Sequence, residues 1–239
     1  MDAARLSVVG GTLPGVRTLL DLVLPAECGG CGVPGTQWCG RCRRSLADVP
    51  IAVTPRVDPG VPVWALGPYS GPRRRAVIAA KERGRRDLAG PLGAALAGAI
   101  GVLRQWGELG PADSSRLCLV PAPTRARAAR VRGGDPVLRA VRSAAICLEV
   151  DCRVRPVLSM RRGVRDSVGL SAGQRQDNIG GRIVVDRSPW GRSSVAGHRN
   201  REVVLIDDVV TTGATSAESV RVLEAAGVQV AAVIVVAAA

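Results

Sequence analysis

The chain has 239 residues, 46% of them hydrophobic, and carries a net charge of +13 from 33 basic and 20 acidic residues. This length and apolar content suit one α/β domain with a small appendage, or two small domains, and exclude a disordered chain. The charge admits nucleic acid or phosphorylated ligands, but aromatics are only 2% and leave little for base stacking.

Residues 1–25 read as a short helix leading into Pro25. Its apolar stretch, Leu6 to Leu24, is broken by Gly10, Gly11, Pro14, Gly15, Arg17 and Asp21. It lacks a basic leader and a small-residue cleavage site, so it reads as neither signal peptide nor anchor, and no run of apolar residues is long enough to span a bilayer. The expectation is a cytoplasmic protein with no membrane partner. Residues 1–47 then form an N-terminal helix and a four-cysteine segment, residues 48–62 a linker rich in proline (Pro50, Pro55, Pro59, Pro62), and residues 63–239 the main domain.

In that domain the pattern alternates. Val61 to Gly67 reads as a strand, Arg73 to Lys81 and Leu88 to Leu103 as helices, and Leu117 to Pro121 as a short buried strand. Pro136 to Glu149 is a helix with apolar residues near a 3.6 period. Val154 to Leu158 and Ile183 to Val185 are strands, and Val203 to Ile206 is a strand without polar interruption. Ser216 to Ala226 is a helix closed by Gly227, and Val228 to Val236 is the last strand. Unbroken apolar strands alternating with helices predict an α/β fold whose parallel sheet is covered on both faces. Ligands of such sheets bind at the carboxyl ends of the strands.

The most informative segment follows one of those strands. Val203-Val204-Leu205-Ile206 runs into Asp207-Asp208-Val209-Val210-Thr211-Thr212-Gly213-Ala214-Thr215, and then a helix begins. Amides of such a turn and helix N-terminus favour an anion. Thr211, Thr212 and Thr215 add hydroxyls, and Gly213 lets a ligand approach the backbone. Two carboxylates beside that cradle suit vicinal ribose hydroxyls, directly or through magnesium. Phosphate and diol together describe a ribose 5-phosphate. A plain strand end with a Thr-capped helix is the bland alternative, and a Walker-type site is excluded by the lack of any Gly-x-x-x-x-Gly-Lys-Ser/Thr string.

Four cysteines make the second motif. Cys28-x-x-Cys31 and Cys39-x-x-Cys42 supply four thiolates at the spacing of a tetrahedral zinc site, with Gly29, Gly30 and Gly32 permitting tight knuckles. Two disulfides are the rival reading, disfavoured in the cytosol. A site this small folds with its metal, which makes a structural Zn²⁺ the expectation. Cys118, Cys147 and Cys152 read as core residues, and His198, the only histidine, as surface.

The acidic-Thr-Gly string resembles the fingerprint of type I phosphoribosyltransferases, and the chain as a whole resembles the ComF/GntX branch, which joins a cysteine cluster to such a domain. Leu119-Val120-Pro121-Ala122-Pro123, Arg132-Gly133, Tyr69 with Lys81 and Gly84, and Gly169-Leu170 with Arg175 and Asn178 are similar to that branch. Val164 and Ser167 stand where relatives often show Thr and Gln, and Gly134-Asp135 replaces a Phe-Asn. The resemblance implies a type I phosphoribosyltransferase fold with a small zinc-binding segment. It also implies binding of phosphoribosyl diphosphate with Mg²⁺ and transfer of phosphoribose to a nitrogen acceptor. Asp207 and Asp208 would hold ribose and magnesium, Thr211, Thr212, Gly213, Ala214 and Thr215 the 5-phosphate, and Ala122, Pro123, Thr124, Arg125 and Lys81 the diphosphate. The loop arginines Arg125, Arg127, Arg130 and Arg132 would close over it or serve as a solvated basic loop. A non-catalytic sensor, or an accessory factor contacting single-stranded DNA or DNA-uptake proteins through Arg41, Arg43 and Arg44, is the alternative. A homodimer is a further partner reading.

Overall fold

The computed structural model describes residues 26–112, 116–124, 134–148, 151–161, 180–186 and 201–239. In chain order its elements are α1 (Gly40–Leu46), β1 (Ile51–Ala52), β2 (Val63–Ala65), α2 (Gly71–Lys81), a 3-10 turn (Arg86–Leu88), α3 (Ala89–Gln105), β3 (Arg116–Pro121), α4 (Pro136–Cys147), β4 (Cys152–Val154), β5 (Leu158–Met160), β6 (Ile183–Val185), β7 (Arg201–Val210), α5 (Ala214–Ala225) and β8 (Val230–Ala238). Residues 1–25 lie outside the described residues.

One six-stranded sheet has the order β1-β2-β8-β7-β3-β4. Only the edge pair β1–β2 is antiparallel; every other neighbour pair is parallel. β5 and β6 form a separate antiparallel pair. Side chains alternate between the two faces of a strand, and both faces of β7 are apolar. Val204 and Ile206 pack with α2, α3 and α4, whereas Val203 and Leu205 pack with α5 and the β5–β6 pair. The sheet is therefore covered on both sides, as expected for parallel strands.

The connections diverge at the centre. From β3 the chain passes through α4 outward to β4; from β7 it passes through α5 outward in the opposite direction, to β8. β3 and β7 are adjacent. The crevice beyond their carboxyl ends is thus the topological switch point, where open α/β sheets take ligands.

Four sequence expectations change. The strand expected over Val154 to Leu158 divides into β4 and β5 around Pro156, which has no amide to donate to a ladder. β7 does not stop at Ile206: β8 continues beside it, pairing Asp207 with Val235, Val209 with Ala237 and Val210 with Ala238. The acidic pair therefore lies inside the sheet. The segment read as a linker contributes β1, and its Val57 amide donates to the Thr212 carbonyl at 2.8 Å. Of the three cysteines read as core, Cys118 is buried and Cys152 half-buried, but Cys147 is exposed at the end of α4.

By length and composition Arg86–Gln105 is apolar enough to cross a membrane, and half of that stretch is buried inside the protein. Its close packing on α4 depends on Gly93, where a Cβ would lie 2.5 Å from Ser143 Cβ and 2.7 Å from the Ala144 nitrogen. No side chain fits there without separating the helices. Gly93→Val should therefore cost about 1–3 kcal/mol, read as a lower denaturation midpoint in urea. An unchanged midpoint would show that α3 and α4 do not depend on this contact.

Candidate functional site

At the end of β3 the Ala122 amide donates to the Ile206 carbonyl at 2.7 Å, which holds Pro121–Thr124 against β7. Ala122 and Pro123 are buried and Thr124 is half-buried. The Thr124 hydroxyl donates to Asp135 Oδ2 at 2.6 Å. Asp135 caps α4: its Oδ1 accepts from the Val137 and Leu138 amides at 2.9 and 3.2 Å, with Pro136 at the first helical position. Sequence reasoning passed over Asp135 except as a departure from the family pattern. The Asp-Pro pair ahead of a helical period was the available signal, because Asp is a favoured N-cap and Pro a favoured first residue.

The second helix that starts at the crevice is built differently. α5 has Gly213 at its N-cap, with φ +86° and no capping side chain. Among the described residues only the Ala214 amide finds a local hydroxyl, Thr212 Oγ1, at a long 3.4 Å. The amides of its first turn are thus left for another acceptor, with the dipole favouring an anion. Gly213 is required twice over. Its backbone is left-handed, and a Cβ there would sit 2.3 Å from the Val57 carbonyl oxygen. Thr211 is exposed, Thr212 buried and Thr215 half-buried.

Between the two turns lie Asp207 and Asp208. Strand alternation puts Asp208 on the face of α2, where Lys81 Nζ stands 2.8 Å from its Oδ2 and 3.1 Å from its Oδ1. The closer contact is poorly aligned, so Oδ2, although buried, accepts no hydrogen bond. Asp207 faces the other way and its Oδ1 accepts from the Asp208 amide at 2.8 Å. Burial raises the Asp207 carboxyl from 3.8 to about 7, with help from the Asp208 charge and against the opposing pull of Lys81. Lys81, Asp207 and Asp208 also line a cleft whose other walls are apolar, among them Leu96, Val137 and Ile206.

The four cysteines converge beside the connection from α2 to α3. Cys28, Cys31, Cys39 and Cys42 place all their sulfurs within 4.8 Å of one another, and Cys31 and Cys39 are 3.6 Å apart. All four are free thiols. A tetrahedral ion at about 2.3 Å from each sulfur needs sulfurs about 3.8 Å apart, so the set could hold a metal such as zinc. Burial raises the Cys28 thiol, but amides of Cys39, Cys31 and Gly30 outweigh it and lower the group to about 6. The Cys42 amide likewise lowers Cys39, whereas burial pushes Cys42 up. Gly30 is needed because a Cβ would lie 2.7 Å from Cys42 Sγ. Cys39 sits at the N-cap of α1, which buries Cys42 and Leu46 and exposes Arg41, Arg43 and Arg44.

The structure therefore brings together Lys81, Asp207, Asp208, the Pro121–Thr124 turn and the Thr211–Thr215 turn, and separately the four cysteines. Arg125, Arg127, Arg130, Arg132, Gly133, Val164, Ser167, Gly169, Leu170, Arg175, Asn178 and His198 lie outside the described residues. What is defined is an α/β protein with a mostly parallel six-stranded sheet and a four-cysteine cluster. No protein-family model matches the chain, and no curated protein matches it significantly.

The buried carboxyl has a consequence for stability. Asp207 is held above its ordinary 3.8, near 7. Below about pH 4 native and unfolded chains both carry it protonated, and it costs nothing. As pH rises toward 7 only the unfolded chain ionises, so native stability is lost through that window, by as much as about 4 kcal/mol above it. Asp207→Asn keeps the Oδ1 acceptor and removes the ionisation. Its melting temperature relative to wild type should rise between pH 4.5 and pH 7.5, in paired thermal melts. A pH-independent difference would contradict the assignment.

Proposed function

We propose that the crevice binds phosphoribosyl diphosphate with Mg²⁺, and that the chain is a phosphoribosyltransferase-like protein of type I fold that transfers phosphoribose to a nitrogen acceptor. One observation carries this reading: a helix N-terminus with no capping side chain follows directly on a half-buried carboxylate pair at the sheet's switch point. The neighbouring helix α4 has its amides capped by Asp135, which leaves α5 as the seat for the 5-phosphate.

The residues present fit a divalent cation. Asp208 Oδ2 is buried, accepts no hydrogen bond and is matched only by a nearby positive charge, the environment a cation's first or second shell would complete. Bound there, Mg²⁺ would neutralise charge on the departing diphosphate. The chain's own part is positioning. Thr211–Thr215 fixes the phosphate end, and Asp207 and Asp208 fix the ribose hydroxyls. The Pro121–Thr124 turn, clamped by Asp135, lies where the diphosphate must leave. As the bond from C1 to the diphosphate oxygen breaks, the carboxylates stabilise positive charge growing on the ribose ring, and the acceptor nitrogen's lone pair closes the new bond to C1. The four cysteines are assigned a structural zinc, because the knuckle's core residues are shared with the main domain.

Calorimetry should show magnesium-dependent binding of phosphoribosyl diphosphate. Asp208→Asn should keep the fold and lose most of the magnesium dependence, and Thr212→Val should weaken binding by about 1–3 kcal/mol through a lost hydroxyl donor. No binding at millimolar ligand, or equal binding by the Asp207→Asn/Asp208→Asn double variant, would overturn the reading.

Metal analysis of protein purified without added zinc should return one zinc per chain. Cys39→Ser should lose the ion and solubility together, and a metal-free, well-folded wild type would reject the assignment.

A further inference from the structure

Lys81 is the only lysine among the 33 basic residues, and the fold places its ammonium against the acidic pair. The contact is built by two long-range features. α2 ends at Lys81, so its last turn, where positive charge is favoured by the helix dipole, projects over the carboxyl end of β7. Asp208 is turned toward it by strand alternation. Nζ then lies 2.8 Å from Oδ2 and 3.1 Å from Oδ1 of the same carboxylate, straddling both oxygens as a small cation would.

The two partners are unequally held. The Lys81 side chain is 39% exposed and the Asp208 side chain 14%. The ammonium reaches in from solvent on a flexible stem, whereas the carboxylate is fixed in the sheet. The chemistry of the residue matters too. A guanidinium would grip the carboxylate through two parallel hydrogen bonds, whereas an ammonium is a compact point charge. In a chain whose positive charge is otherwise arginine, the cation that the described residues place against the acidic pair is the one that releases more readily.

We propose that Lys81 is an exchangeable counter-ion of the acidic pair, occupying the place of a divalent cation in the ligand-free protein and withdrawing when the cation arrives with an anionic ligand. This deepens the reading given above and rests on it for the identity of the ligand. It makes cation and anion binding depend on each other. The cation alone must displace the ammonium, whereas a diphosphate-bearing ligand offers that ammonium a new partner on the solvent side. The device would keep the pair neutralised, and the sheet stable, while no ligand is bound.

The test uses Mn²⁺ alone as a probe, titrated into zinc-loaded full-length protein and followed by the EPR signal of free Mn²⁺. Lys81→Met should tighten Mn²⁺ binding about fivefold to tenfold, the scale of a partly buried ion pair, and Lys81→Arg should weaken it. Asp208→Asn should abolish binding in either background, which places the ion at this pair. Thermal melts and zinc content establish that each variant is folded. Unchanged or weaker Mn²⁺ binding by folded Lys81→Met would overturn the proposal. Failure of the parent reading is separable: tightened Mn²⁺ binding in Lys81→Met, with no binding of phosphoribosyl diphosphate by wild type, would leave the counter-ion role standing and remove the ligand assignment.

Discussion

The parallel ladder between β7 and its neighbours β3 and β8 is the constraint on which the rest of the molecule depends. β7 is paired with β3 from Arg201 to Ile206 and with β8 through to Val210. Hydrogen bonding on both sides leaves its side chains only two directions, and both lead into apolar layers. Most of the strand meets that demand with Val, Leu and Ile. Asp207 and Asp208 do not, and the backbone cannot turn them away, because β8 continues beside them. The strain of the site is therefore electrostatic: two carboxylates held at fixed positions where water is scarce.

The surroundings answer that cost unevenly. Asp208 has an ammonium beside it. Asp207 has one amide and is pushed upward by burial and by its neighbour's charge. A pair arranged this way is poorly suited to a purely structural role, since apolar residues at both positions would pack more favourably. Its position beyond the β3–β7 junction, between one capped and one uncapped helix, gives the arrangement a use. The acidic pair and the open α5 amides present opposite preferences a short distance apart, and the proposed ligand, with a cation-coordinated diol and an anion, would satisfy the two together.

The four-cysteine knuckle is tied into the same framework. Leu46 belongs to the core cluster shared by α2, α3 and α4, and Trp38 packs against it. A Cβ on Gly29 would meet Leu88 at 2.6 Å, so the first knuckle rests directly on the turn that starts α3. Arg85 pairs with Asp87 at 2.6 Å and donates to the Glu27 carbonyl at 3.0 Å. Buried Arg73 on α2 donates to the Ser45 carbonyl and to Asp48. The N-terminal segment thus braces the first turn of α2 and the α2–α3 connection, and α2 is the helix that delivers Lys81. The cysteine cluster and the acidic site share a mechanical support without sharing a residue.

How legible this was in the sequence follows from the range of the interactions involved. The strands and helices of the sheet were readable because their signals are local: uninterrupted Val and Ile runs in β7 and β8, the apolar period of α4, and Gly227, whose φ of +81° and bonds from Gly227 to Glu224 and from Val228 to Leu223 end α5. The cysteines were readable because their spacing is itself the chemistry. Lys81 was legible only in part. The resemblance put it at the ligand, but beside Glu82 in a helix it reads equally as a surface charge, and its pairing with Asp208 spans 127 residues, brought near by the sheet order β2-β8-β7. β1 was hidden for the same reason: Ile51 and Ala52 are too short and too exposed to show a period, and become a strand because β2 offers an edge. Asp135 was passed over because its meaning is a hydrogen bond to Thr124, eleven residues earlier in the chain. What the chain hides is pairing between distant charges, and at this site that pairing sets the electrostatics a ligand would meet.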